Sequence, residues 1–121
     1  MPGRSSDVSR LPPLKPLVFQ VLLALVDGPR HGWSLVRDVQ QRGEFGRLMP
    51  GNFYRTLRSM LADGLIEDAP TRSRAGEADE RRRYFRLTKL GEEAAIAEAR
   101  RLEALVIESR AKRLLSSRSR G

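Results

Sequence analysis

The sequence predicts a mainly α-helical domain with one small β-hairpin, followed by a long C-terminal helix. Three observations carry that expectation. Apolar residues recur at helical spacing in three successive segments between residues 14 and 63. Two short strand-like runs, at 65–67 and 81–87, then flank the polar loop "APTRSRAGEADE". A last segment, from Thr88 to about Leu115, repeats Ala95, Ala99, Leu102 and Val106 at 4-3-4 spacing, with Leu105 beside them.

Each element has its own local reasons. Residues 1–10 are polar and are expected to form a disordered arm. The first helix enters through prolines and stops at Gly28-Pro29, with Leu17, Val18, Val21, Leu22, Leu25 and Val26 as its apolar positions. The second runs from His31 or Gly32 to Arg42 on Trp33, Leu35, Val36 and Val39, and Gly43 and Gly46 punctuate its end. The third opens near Pro50 and closes at Gly64, a natural left-handed C-cap. Leu65-Ile66-Glu67 makes the outgoing strand and "RRRYFRL" the returning one. Thr88 caps the last helix, whose first turn carries Glu92 and Glu93, where the helix dipole favours carboxylates. Three helices followed by a hairpin with a basic tip is the winged helix-turn-helix order. The predicted organisation is an arm at 1–10, a winged domain at 11–90, a dimerisation helix at 91–115 and a disordered tail at 116–121.

Composition narrows the function classes. The 121 residues carry a formal charge of +8 and no cysteine, which favours an anionic partner and a reducing compartment such as the cytoplasm. The charge is spread along the chain, +3, +3 and +2 over residues 1–49, 50–91 and 92–121, so position has to identify the partner. The longest apolar run, "LVFQVLLALV", is too short to cross a membrane, and no signal peptide is expected. His31 is the only histidine, so a metal site or a histidine-based triad has little to build with. Asp79 and Glu80 are adjacent on an extended segment and point opposite ways, a poor acid–base pair. Neither an enzyme nor a bound cofactor or metal is expected.

On a helical wheel Phe53, Tyr54, Leu57, Met60 and Leu61 share one face of the third helix. Asn52, Arg55, Thr56 and Ser59 take the opposite face, with Arg58 on the flank. Arginine pairs bidentately with guanine and asparagine with adenine, and hydroxyls reach base or phosphate, so this face suits the major groove of double-stranded DNA. Tyr54, in the same turn, joins the candidate contacts. In the hairpin, alternation turns Phe85 and Leu87 inward and Arg82, Tyr84 and Arg86 to the other face. Arg72, Arg74, Arg81 and Arg82 then flank the wing as candidate phosphate contacts. Glu77, Asp79 and Glu80 are close enough in sequence to pair with them instead. Arg83 falls on the Phe85 side. Backbone N–H groups at Gly32 and Trp33 can hold a phosphate at the start of the second helix, although the Trp33 ring itself reads as core. His31 reads as a turn residue.

Three motifs together resemble the PadR family of bacterial winged-helix repressors: "LLALVDGPRHGWSLVRDVQ", "MPGNFYRTLRSMLADGLIE" and "DERRRYFRLTKLGEEA". The resemblance spans about residues 14–105. It implies a transcriptional repressor of its own or a divergent gene, dimeric through the C-terminal helix and often released by a small ligand. A small hydrophobic or aromatic effector fits such a seam. Trp33 replaces the family's usual tyrosine, and Asn52 stands where threonine or serine is common. The single C-terminal helix matches the family's smaller members. About 25 residues of that helix span ~40 Å, more than the domain can cover, so the stripe of Ala95, Ala99, Leu102, Leu105 and Val106 asks for a second copy. The rival expectation is a winged-helix adaptor that binds RNA or a protein, whose exposed face would carry aromatics or leucines.

Overall fold

The computed structural model describes residues 13–42, 50–69 and 83–116. The N-terminal arm, residues 1–10, and the wing residues Arg72, Arg74, Arg81 and Arg82 lie outside them, with Gly43, Gly46, Glu77, Asp79, Glu80 and the tail beyond Ser116.

The elements follow the expected order with one addition: α1 (Pro16–Leu25), β1 (Arg30–His31), α2 (Gly32–Gln41), α3 (Pro50–Ala62), β2 (Ile66–Asp68), β3 (Tyr84–Leu87) and α4 (Lys89–Ala111). Pro16 opens α1, where its missing N–H costs nothing. At the end of α3 Gly64 sits at φ +78, Leu65 N donates to Met60 O at 3.0 Å and Gly64 N to Leu61 O at 3.1 Å. This is the Schellman stop that the glycine predicts. The outgoing strand lies one residue later than expected.

The addition is β1. The sheet has the order β1-β3-β2 and is antiparallel throughout, with Arg30 opposite Phe85, His31 opposite Tyr84 and Glu67 opposite Arg86. His31, expected to be a plain turn residue, therefore pairs in a sheet, and its ring meets Tyr84 edge-on at 4.2 Å. Two residues are too short for a period-2 signal, so only the neighbouring strand reveals them. In β3 Phe85 is buried and Arg86 exposed, as the alternation requires. Arg83 lies over the Phe85 ring and donates to Asp68 from Nε and Nη2, at 2.6–2.9 Å. It belongs to the base of the hairpin.

One core holds the helices to the sheet: Val21, Leu22 and Leu25 of α1, Leu35 and Val39 of α2, Phe53, Leu57 and Met60 of α3, Ile66, Phe85, and Ala94 and Ala95 of α4. Full burial of each large member contributes roughly 1.5–3 kcal/mol. Two expected core positions are outside it. Val26 is 59% exposed because it follows the last turn of α1. Trp33 is 48% exposed, since it stands ~160° round the helix from Leu35. Conversely Ala95, expected on a dimer seam, is buried against its own domain.

The junction between β3 and α4 is tight. The Thr88 hydroxyl accepts from Gly91 N at 2.9 Å and directs its proton at Gly64 O (2.6 Å) and Leu65 O (3.0 Å). A Cβ on Gly91 would stand 2.0 Å from Leu65 O. Farther along, Glu98 is the single buried charged residue among those described. It accepts two bonds from Arg101, at 3.0 and 2.7 Å, and one from Leu14 N at 3.3 Å. The Arg101 hydrogen bonds hold its carboxyl below the usual carboxylate range, and the Leu14 N–H helps, against the opposing effect of burial. The helix ends at Ala111, short of the expected Leu115. Arg113 turns left-handed (φ 66) and Leu114 N bonds back to Ser109 O at 2.8 Å, a second Schellman stop without glycine.

Two measurements follow. Gly91→Ala should lose at least ~2–3 kcal/mol in urea unfolding at fixed protein concentration, because backbone rather than a flexible side chain must move. Thr88→Ala should lose about 1 kcal/mol through the cap alone. An unchanged midpoint for Gly91→Ala would refute the close approach. A depressed folded-state pKa stabilises the fold above the unfolded-chain value of about 4.3, and that contribution fades as pH falls through the folded value. Glu98→Gln should therefore cost about 1–2 kcal/mol at pH 7, with wild type and variant converging as acid protonates Glu98. A gap independent of pH would exclude the charge as its source.

Candidate nucleic-acid interface

The interface is built on α3. Phe53, Leu57 and Met60 anchor it in the core, each no more than 1% exposed. Tyr54 turns to the same side: it is half-buried, meets Phe53 edge-on at 5.9 Å and has a buried hydroxyl. That placement makes it a support of the helix.

The outward face carries Asn52, Arg55, Arg58 and Ser59 as exposed residues, with Thr56 half-buried beside them. Arg55 Nη1 donates to Asn52 Oδ1 at 3.0 Å, one turn away, which holds the guanidinium along the helix. The Thr56 hydroxyl donates back to Asn52 O at 3.1 Å. Positions 50–62 contain no acid, and Asp63 follows at the C-terminal end. The result is a cationic, hydrogen-bonding surface on a helix whose opposite side is locked in apolar packing. Such a helix can donate bidentately to guanine and use an amide or hydroxyl at neighbouring bases.

The start of α2 supplies a second part. Gly32 is buried and its N–H is already taken by Arg83 O at 3.0 Å, so this amide closes the sheet edge and is not available to a phosphate. Trp33 projects outward, with the Arg37 guanidinium 4.7 Å above its ring. Stacking of this kind spreads and orients a cation. Sequence reading missed Arg37, although the i,i+4 spacing from an aromatic residue was the available signal. Arg30 pairs with Asp38 on the same stretch, and Arg86 with Glu67 across the sheet at 2.8 Å. Those two guanidinium groups are partly neutralised. The wing candidates Arg72, Arg74, Arg81 and Arg82 fall outside the described residues.

The dimerisation candidates divide. Ala95 is core, Ala99 is exposed and Leu102 half-buried, while Leu105 and Val106 are 48% and 38% exposed. Leu114 and Leu115, further along the same stripe, are exposed, as are Ile96 and Ile107, which lie outside it. No helix among the described residues is long and apolar enough to cross a membrane, and no cluster among them could hold a metal ion.

Comparison with known proteins agrees with this architecture. A crystal structure of a PadR family transcription regulator from Clostridium difficile aligns with a TM-score of 0.61 at 22% identity, covering 84% of this chain and 100% of that one. A PadR-like transcriptional regulator from Bacillus cereus aligns at 0.60 and 22%, covering 84% and 93%. A Streptococcus transcriptional regulator aligns at 0.64 and 24%, covering 78% and 89%. At these identities the likeness concerns the fold. No curated protein matches. The family model of the PadR-like transcriptional regulators, proteins that control transcription and are not enzymes, matches residues 21–97. A match over more than half of the sequence, on the helices and sheet described above, makes this chain a member of the PadR-like family of transcriptional regulators.

Proposed function

We propose that this protein is a cytoplasmic, sequence-specific DNA-binding repressor that reads a near-palindromic operator as a homodimer and is released by a small effector. The observation that carries the reading is the outward face of α3. Asn52, Arg55, Thr56 and Ser59 stand together there on a helix with no acid before Asp63, and Asn52 already holds Arg55 in place. α3 enters the major groove, while Trp33, Arg37 and the wing arginines Arg72, Arg74, Arg81 and Arg82 lie along the phosphates. Phosphate contacts position the protein and base contacts give it sequence preference.

The dimer rests on α4. Its 23 residues span ~35 Å, and the line that buries Gly91, Ala94, Ala95 and Glu98 continues through Leu102 and Leu105, past the last elements of the domain. Exposed Leu105, Val106 and Ile107 gain by burial against a second copy. A two-fold axis there places two copies of α3 on successive turns of DNA. In this reading residues 11–90 form the DNA-binding unit, and the helix from 91 does double duty, core at its start and dimer seam beyond.

Arg55→Ala should weaken operator binding by ~1–3 kcal/mol and non-specific binding by less. Isotherms on operator and scrambled duplex would decide: equal loss on both reduces Arg55 to a phosphate contact. Leu105→Asp should convert a micromolar dimer to monomer and lose tight operator binding while the domain stays folded. Sedimentation of both chains tests this, and a wild-type monomer at micromolar concentration would refute the dimer.

A further inference from the structure

Between the chain entering α1 and the side of α3 lies a half-open cavity of about 560 Å³, within the size range of small-molecule sites. Its apolar lining comes from Leu14, Val18, Met60 and Leu90. Lys15 and Arg55 bring two cations to it and Asp63 one carboxylate, while Thr56 and Ser59 add hydroxyls. Among the described residues no carboxylate pairs with Lys15, and Arg55 is held by a neutral amide. A half-open pocket with an apolar floor and a surplus of positive charge fits an apolar molecule that ends in an anion.

We propose that this cavity is an effector site for a small amphipathic carboxylate, and that its occupancy competes directly with DNA for α3. The competition rests on the DNA-binding reading of that helix. Arg55, Thr56 and Ser59 belong both to the cavity lining and to the outward face of α3. A carboxylate held by Lys15 and Arg55 engages the guanidinium that base recognition needs and brings a negative charge up to the phosphates. The opposite wall is not free to drift, because Leu14 N is tied to Glu98 of α4. An occupant that pushes on residues 13–15 therefore also bears on the helix assigned to dimerisation.

The test uses the full chain with ¹³C-methyl-labelled methionine, of which there are three: Met1, Met49 and Met60. Met60 lines the cavity and is identified as the signal lost in Met60→Leu. Octanoate, 1-octanol and octylammonium are titrated separately, so chain length is constant and only the head group changes. Octanoate should move the Met60 signal saturably at millimolar concentration, with the other two at least about tenfold weaker, the scale of one favourable charge interaction. Lys15→Gln should weaken octanoate several-fold. Octanoate at ten times its dissociation constant should raise the apparent operator dissociation constant about tenfold, as competition by mass action requires.

Equal binding of the three amphiphiles would overturn the proposal by revealing an unselective apolar patch. So would octanoate binding that leaves operator affinity unchanged. A Met60 response that appears only after deletion of residues 2–10 would make the chain's own N-terminal segment the occupant and overturn it likewise. A saturable, charge-selective Met60 response in a chain that binds no DNA would keep the anion site and defeat the repressor reading, so the two failures are distinguishable.

Discussion

At residue 91 the backbone of one helix lies directly against the backbone of another segment, and the rest of the molecule is arranged around that contact. Gly91 stands so close to Leu65 O that no side chain could be inserted. Thr88 closes the same point by accepting from Gly91 N and donating toward Gly64 O and Leu65 O, while its own N–H reaches Leu65 O at 3.2 Å. Three elements meet here: the C-terminal stop of α3, the start of β2 and the first turn of α4. The direction in which α3 leaves the domain and the direction in which α4 departs are thus set by one hydrogen-bonded knot. In the proposed dimer, two copies of α3 keep a fixed separation only if α4, which pairs them, is rigidly joined to α3.

The core enforces the same geometry from the other side. Phe53, Leu57 and Met60 recur at helical spacing and insert between α1, α2 and the sheet. Rotating α3 by one residue would exchange those side chains for Asn52, Thr56 and Ser59 and bury polar groups without partners, which costs several kcal/mol. The chemistry of the outward face is therefore protected by the apolar face behind it. The hairpin shows the same division. Arg83 and Arg86 pair with Asp68 and Glu67 at its base, where they brace the two strands.

Charge on α4 serves structure as well. A carboxylate as deeply buried as Glu98 is costly unless its oxygens are satisfied, and Arg101 and the Leu14 N–H satisfy them. The consequence is a polar tie between the chain entering α1 and the helix that leaves the domain. Beyond that tie the cover thins: Leu102 is half-buried, and Leu105, Val106 and Ile107 are exposed.

The sequence by itself determined the order of elements, the helix stops at Gly64 and the cap at Thr88, because these depend on backbone conformation and hydrogen bonding within a few residues. It also determined which face of α3 is apolar, since a 3.6-residue period is a local property. Its three motifs pointed to the family that the model match establishes. Only the tertiary structure decided the rest. β1 exists because β3 lies beside it, and its two residues have no pattern of their own. Trp33 looked like core because aromatic residues usually are, yet the interior beside it was already filled by Gly32, Leu35 and Val39. Ala95 and Ala99 read as one stripe, but the buried line runs from Ala95 through Glu98 to half-buried Leu102, and Ala99, turned aside from it, is exposed. Alternation turned Arg83 to the Phe85 side, but its ion pair with Asp68 and its place over the Phe85 ring were settled by the neighbouring strand. In each case the outcome turned on a partner distant in sequence, and a linear pattern records which side chains can be buried without recording where the chain's own neighbours run out.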